Sequence, residues 1–354
     1  MKYLIAVSSL TPGSGLSRYV FSLCSQLSDD NEVYVITTHN SDNVSYEQKE
    51  LADISEDIKL ISLGKYPTFK KYYKALQSVW MLQPDIIINN YNAVYQFILP
   101  LIPRRTKAVH VLHCDNNDFY RVAAISAGHT DGWIAPSRAI ARHFNEYTSK
   151  KYADRVTVIS HGVEETELKE KQNQRLEIIY AGVLYEHKGV KILPEIIKRL
   201  LHKGIDLHFT IIGGGVLEEW LTDQFKGEIK TGIVSMTGVI SHDEVYAYMS
   251  KSDIFLYPTH LDSFGLVIAE AMMNGAVPIV TLLQDITDHL IPNEHYGYLI
   301  QQDDIDNFVE SISKLAESFD LRKSISRNAH RRALEFFSHQ SMKEAYLNYL
   351  CNLN

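Results

Sequence analysis

At 354 residues the chain is longer than a single hydrophobic core usually grows, so two domains of about 150 to 200 residues are expected. A composition of 45% hydrophobic and 22% charged residues is globular and sets aside disordered and low-complexity classes. Three cysteines, too far apart for a metal motif and too few for a disulfide framework, fit a reducing cytoplasm, and a formal charge of −8 speaks against a nucleic-acid partner.

The opening "MKYLIAVSSLTPGSG" holds an apolar run too short for a signal peptide and reads as a buried first strand. No stretch approaches the ~20 apolar residues of a spanning helix. Strand-like runs then alternate with helical patterns: "YLIAVS", a helix over 16–27, "VYVITT", "IKLISL", a helix over 69–82, "DIIIN", "KAVHVLH" and "GWIAPS". Such alternation argues βαβ units and a parallel sheet. The polar segment 165–176, "ETELKEKQNQRL", reads as a linker. A second series follows: "LEIIYAG", a helix over 189–203, "LHFTIIGGG", "GIVSMTG", "DIFLYP", a helix over 264–274 and "AVPIVT". The tail from Ile305 is helical. Domains are therefore expected at 1–165 and 166–335, with a C-terminal helix in 336–354 packing back toward the first.

Charge is unevenly spread. Residues 1–165 balance 17 Lys and Arg against 17 Asp and Glu, so the acidic excess lies beyond them. From Ile58 to Cys114 there are eight bases and one acid, Asp85.

Doubly wound sheets bind ligands at the carboxyl ends of their strands, and the informative loops lie there. "SSLTPGSGLSRYV" puts Gly13 and Gly15 between a strand and a helix, where free amides can meet an anion. "IIGGGVLEEW" lacks dinucleotide-fingerprint spacing and reads as a structural turn. "YAGVLYEHKGVKIL" puts Gly182, an expected donor-binding residue, just after a strand and sets Lys188 before Gly189 within reach of a phosphate. In "HLDSFGLVIAEAMMNGAVPIVT", Asp262 and Glu270 bracket the start of an apolar helix. Capping accounts for Asp262, whereas Glu270, among apolar neighbours, needs a polar partner. Carboxylates flanking the amides of Phe264, Gly265 and Leu266 suit the two diols and the diphosphate of a nucleotide sugar.

The chain resembles, over essentially its whole length, the retaining glycosyltransferases of family four. "TPGSGLSRYVFSLCSQLSDDNEVYVIT", "VISHGVEE" and "GVLYEHKG" carry the likeness. The most specific block is "DIFLYPTHLDSFGLVIAEAMMNGAVPIVT", with two acidic positions separated by seven residues. The resemblance implies an α/β fold of GT-B architecture, two doubly wound Rossmann-like domains facing across a cleft, with 1–165 on the acceptor side and 166–335 binding the nucleotide sugar. It implies Glu270 on the donor ribose, Asp262 near the transferred sugar, Phe264, Gly265 and Leu266 and also Gly15 toward the diphosphate, Lys188 on the phosphates, and His113 near the reacting sugar. Base contacts are expected near Gly238 and Val239.

There are two departures: Asp262 replaces a glutamate, and Val183 stands where the family commonly has an arginine. The expected activity is transfer of a sugar from a UDP or GDP sugar to a hydroxyl with retention, in surface polysaccharide or glycolipid synthesis, without cofactor or metal. A nucleotide-sugar 2-epimerase and a non-catalytic nucleotide-binding subunit are the alternatives. The acids of "DDID" at 303–306 and "DNND" at 115–118 sit at helix starts and not in a metal clamp. On a helix, Phe69, Tyr73, Leu76 and Trp80 share a face, which ordinary packing turns to the core with Lys70, Lys71 and Lys74 solvated. The other reading rests residues 67–80 and 104–107 on an anionic inner leaflet, as in family members with lipid-linked acceptors.

Overall fold

The computed structural model describes residues 1–11, 14–29, 31–39, 49, 51, 58–171 and 175–353. The chain divides into two compact units, Met1–Gly162 with His339–Asn354, and Val163–Ser338.

In the first unit, strands β1 (Lys2–Val7), β2 (Glu32–Thr37), β3 (Lys59–Ser62), β4 (Ile86–Asn90), β5 (Lys107–Val111), β6 (Gly132–Ala135) and β7 (Val156–Val158) form one sheet of order β3-β2-β1-β4-β5-β6-β7. Every pairing is parallel. A parallel sheet is covered on both faces, so its central strands are mostly apolar. In β1, Tyr3, Ile5 and Val7 join one core cluster, while Leu4 and Ala6 join another. Helix α1 (Gly15–Ser28) packs with the first cluster, and α2 (Thr68–Leu82) and α3 (Ala93–Ile98) pack with the second.

The second unit repeats the plan. Strands β8 (Leu176–Ala181), β9 (Leu207–Ile212), β10 (Val234–Gly238), β11 (Ile254–Tyr257), β12 (Val277–Thr281) and β13 (Tyr298–Ile300) run in the order β10-β9-β8-β11-β12-β13, again all parallel. Its site helices are α4 (His242–Met249) and α5 (Leu266–Met273), and α6 (Phe319–Phe337) packs against α5. Strand β13 has no counterpart in the sequence reading, because three residues are too few to show a period.

The unit boundaries fall at 162/163 and 338/339, three residues from the sequence-expected 165/166 and 335/336. Val163 donates its N–H to the Phe337 carbonyl at 2.8 Å and bridges in parallel with Ser338, which binds both segments into the second unit. Beyond them, α7 (His339–Cys351) packs on α1 in the first unit, burying Met342, Tyr346 and Leu350. The Tyr346 hydroxyl hydrogen-bonds that of Tyr19, and Lys343 pairs with Asp29.

Of the expected apolar stripe of α2, only Leu76 packs against the core. Phe69 is 74% exposed, Tyr73 63% and Trp80 54%, and the helix buries Ala75 and Val79 instead. Ala75 and Val79 are buried with Tyr72, Leu76 and Leu82 packed beside them, while the rings of Phe69, Tyr73 and Trp80 stay exposed.

Candidate functional site at the carboxyl ends of the strands

In the second unit, the loops after β8 and β11 are fastened together. Gly189 has φ +68°, and a Cβ there would lie 1.7 Å from the Pro258 carbonyl oxygen, so no other residue fits this contact without moving the backbone. His260 donates its N–H to the His187 carbonyl at 2.9 Å. Lys188 therefore reaches across: its Nζ donates to the Leu261 carbonyl at 2.9 Å and lies 3.0 Å from Asp262 Oδ2. The Lys188 ammonium also sits 5.6 Å from the centre of the Tyr257 ring. Sequence reasoning missed Tyr257, whose hydroxyl donates to Asp262 Oδ2 at 3.1 Å. A tyrosine closing a buried strand needs such a partner, and that was the available signal.

Asp262 takes up two of the three amides expected to face a diphosphate, together with that of Ser263: its Oδ1 accepts from the N–H of Ser263 at 2.8 Å, Gly265 at 3.0 Å and Phe264 at 3.4 Å. An aspartate, one methylene shorter than glutamate, closes back on its own turn in this way. Burial alone would raise its pKa, but Lys188 and the amides of Gly265 and Phe264 outweigh that and hold the carboxyl below its usual range. Tyr257 is driven the other way, first by burial and then by the Asp262 charge, and keeps its proton. Phe264 is buried, with its ring 6.0 Å from that of Phe337. Leu266 begins α5 directly after Gly265.

Glu270 is buried on α5 and bonded by His242 Nε2 at 3.0 Å. His242 opens α4 next to a capping box between Ser241 and Glu244, and its ring lies 4.3 Å from that of Tyr246. The motif "SHDE" marks the helix start in the sequence, but nothing there says that its histidine meets Glu270. Gly182 and Val183 follow β8, with Val183 exposed, and Val239 follows β10 and is also exposed. The "GGG" turn is structural, because a Cβ at Gly213 would lie 2.0 Å from the Gly182 carbonyl oxygen.

In the first unit, Gly13 lies outside the described residues. Gly15 is the first residue of α1, with open space where a Cβ would stand. One turn on, Tyr19 sets its ring edge-on to His113, the centroids 4.9 Å apart. His113 lies two residues past β5, and its Nε2 is 2.9 Å from Asn90 Oδ1. Burial, then the neighbouring His161 and His110, push the His113 pKa well below its usual value. The expected residues thus divide between the units, Lys188, Asp262 and Glu270 in one and Gly15 and His113 in the other, and His242 on Glu270 is an addition that the sequence did not announce.

Two family models match the sequence, one described as "Glycosyl transferases group 1" over residues 164–332 and one as "Glycosyltransferase Family 4" over residues 13–167. An uncharacterized glycosyltransferase of Methanocaldococcus jannaschii is 23% identical over 344 residues, 91% of this chain and 90% of that protein. O-antigen chain mannosyltransferase C of Escherichia coli is 23% identical over 295 residues, 78% of each chain. Among solved structures, Anabaena HepE in complex with UDP superposes with a TM-score of 0.81 at 17% identity, covering 99% of this chain and 100% of that one. The same protein with UDP-glucose gives 0.79 at 16% identity, over 99% of both.

Proposed function

The chain belongs to the group 1 glycosyltransferases and has their GT-B fold of two parallel-sheet Rossmann-like domains, and from that premise we propose that it moves a hexose-type sugar from a UDP or GDP sugar to a hydroxyl acceptor with retention of anomeric configuration. Glu270, acceptor-only when ionised, takes the ribose diol, and His242 orients its carboxylate. Lys188 stabilises the departing diphosphate as preorganised charge, and Asp262 stands near the transferred sugar. Gly182, Val239 and Leu266 line the donor. The sugar passes through an oxocarbenium-like state and the acceptor attacks from the same face.

The observation that carries this reading is the pair of tied loops at the carboxyl ends of β8 and β11, which hold a cation and a carboxylate 3.0 Å apart beside the start of α5. Anabaena HepE, of the same fold, has been crystallised with UDP and with UDP-glucose, and the Escherichia coli relative is named a mannosyltransferase. A thermal-shift screen of UDP, GDP, ADP and CMP sugars tests the reading. One uridine or guanosine donor should raise the melting temperature by RT ln(1+[L]/Kd) in free-energy terms, and failure of all of them would contradict it.

Metal independence belongs to the same proposal. The acids of the two Asp-rich stretches have protein partners: Asp303 with His260 at 2.8 Å, Asp304 with the Asn307 N–H at 3.1 Å, Asp115 with His143 at 2.6 Å and Asp118 with Arg121 at 3.0 Å.

One observation favours a second reading, a subunit that binds the nucleotide without transferring sugar. Val183, 46% exposed, supplies no cation, and the charge of Lys188 is already met by Asp262.

The acceptor is a surface glycan or glycolipid intermediate, and the protein works on the inner face of the cytoplasmic membrane. Supporting this, Phe69, Tyr73, Trp80 and Met81 of α2 and Phe97 and Leu101 beyond it are all exposed, in a segment that also carries Lys70, Lys71, Lys74, Arg104 and Arg105. Aromatic rings beside bases suit an anionic lipid surface. Among the described residues no helix is long and apolar enough to cross a membrane.

A further inference from the structure

His113 makes one hydrogen bond among the described residues, from Nε2 to Asn90 Oδ1 at 2.9 Å. Its partner's orientation is fixed from the other side. Asn90 ends β4, and its Nδ2 lies 3.4 Å from the Ile88 carbonyl oxygen. A carbonyl only accepts, so the amide nitrogen faces Ile88 and the amide oxygen faces the imidazole. That oxygen also only accepts. Nε2 must therefore carry the hydrogen, which leaves the ring lone pair on Nδ1.

The surroundings keep the ring still and uncharged. Tyr19 from α1 lies against it, and the Tyr19 hydroxyl is taken by Tyr346 of α7. The ionisable groups near the ring are Tyr19, which burial keeps protonated, His161, stacked at 5.9 Å, and His110 of β5. Burial and these two histidines disfavour a second proton on the ring, and His110 stays uncharged itself, its pKa lowered to about 3 by burial.

We propose that Asn90 is a positioning residue that fixes His113 as the Nε2–H tautomer, so that Nδ1 accepts a hydrogen bond from a hydroxyl of the sugar. This rests on the reading of His113 as a residue beside the reacting sugar. It sharpens what the site recognises. An Nδ1 lone pair attracts a hydroxyl and repels a phosphate oxygen, so His113 selects the sugar and takes no part in holding the diphosphate. The ring is also not a general acid at neutral pH, since Nδ1 carries no proton and Nε2–H is committed to Asn90.

The test is long-range proton–nitrogen NMR on the full chain labelled at histidine nitrogen, with His113→Gln used only to assign the signal. Wild type should show one protonated nitrogen, Nε2, and an unprotonated Nδ1 from pH 5.5 to 8. Asn90→Leu should average the two nitrogens, and Asn90→Asp, whose carboxylate favours imidazolium, should protonate both at the acid end. A wild-type ring protonated at Nδ1, or an unchanged tautomer in folded Asn90→Leu, overturns the proposal. A wild-type ring protonated at Nδ1 overturns it even if the variants do not fold. Titration with UDP-glucose, UDP-N-acetylglucosamine and GDP-mannose separates the proposal from its premise. One sugar nucleotide should shift Nδ1 while UDP and GDP alone do not. A fixed tautomer that no bound sugar nucleotide shifts would remove His113 from the sugar site while leaving Asn90 as its orienting partner.

Discussion

Lys188 and Asp262 lie 3.0 Å apart although 74 residues separate them along the chain. The lysine is placed by a turn that only Gly189 can make against Pro258, and the aspartate is placed by three amides of its own loop. Each charge thus has a fixed position before any donor arrives, which is what stabilising a departing diphosphate requires. Lys188→Ala should lower kcat and kcat/KM together by roughly 10²-fold, the signature of an interaction made in the transition state. Asp262→Asn retains an oxygen for the amides and removes the carboxylate charge beside Lys188. It should lower turnover while UDP binds as well as before or a few-fold more tightly in calorimetry. Normal turnover in Lys188→Ala would remove that residue from the site.

Glu270 and His242 should behave as one unit in nucleotide binding. Glu270→Gln is expected to weaken UDP by about ten- to a hundredfold, the range of a hydrogen bond to a charged group. His242→Ala should weaken it less, and the double variant should be no worse than Glu270→Gln, because both changes disturb the same contact. Calorimetric titration of the four proteins checks this. Additive losses would mean that His242 does not act through Glu270.

The organisation of the fold was legible because parallel strands buried on both faces leave continuous apolar runs, such as "YLIAV" and "DIFLY". Lys188, Asp262 and Glu270 were legible because strand-end loops and helix starts leave local marks. What crosses the chain was not. Nothing in "SHDE" points to Glu270, and nothing near residue 90 points to His113. The amides of Phe264, Gly265 and Leu266 were read as facing a diphosphate, because spacing shows that a carboxylate is near a turn, not that it folds back onto the amides of residues 263–265. On α2, the spacing of Phe69, Tyr73, Leu76 and Trp80 could not say that Leu76 alone of them would pack on the core, or that Ala75 and Val79 would be the buried residues.

A pH effect on stability follows from His110. It is buried, with Nδ1 2.9 Å from Gln96 Oε1, and burial lowers its pKa from 6.5 to about 3. The unfolded chain takes up this proton near pH 6.5 and the folded chain only near 3. The stabilisation is therefore complete above pH 6.5 and is lost as the pH falls toward 3, by about 1.4 kcal/mol per pH unit for this group. His113 acts in the same direction. Urea unfolding at several pH values between 5 and 8 should show a decline in stability that His110→Gln reduces by about one proton. An equal pH slope in wild type and variant would contradict this.

The exposed aromatic and basic residues of α2 predict lipid binding. The protein should sediment with vesicles containing anionic lipid, and binding should fade as salt is raised. Joint replacement of Lys70, Lys71 and Lys74 by Glu should abolish it, at on the order of 1 kcal/mol per base. Replacing Phe69, Tyr73 and Trp80 by Ser should weaken binding to vesicles of every charge. Sedimentation unaffected by both sets of changes would leave a soluble acceptor as the better account.

The most direct test of the whole account is turnover of the donor. Purified protein is incubated with each UDP and GDP sugar in turn, release of the nucleoside diphosphate is measured, and the anomeric configuration of the first-formed sugar product is read by proton NMR. One donor should release UDP or GDP with the sugar's configuration retained, and Lys188→Ala should suppress that release. Tight binding of a nucleotide with no release from any donor, or a product of inverted configuration, would contradict it.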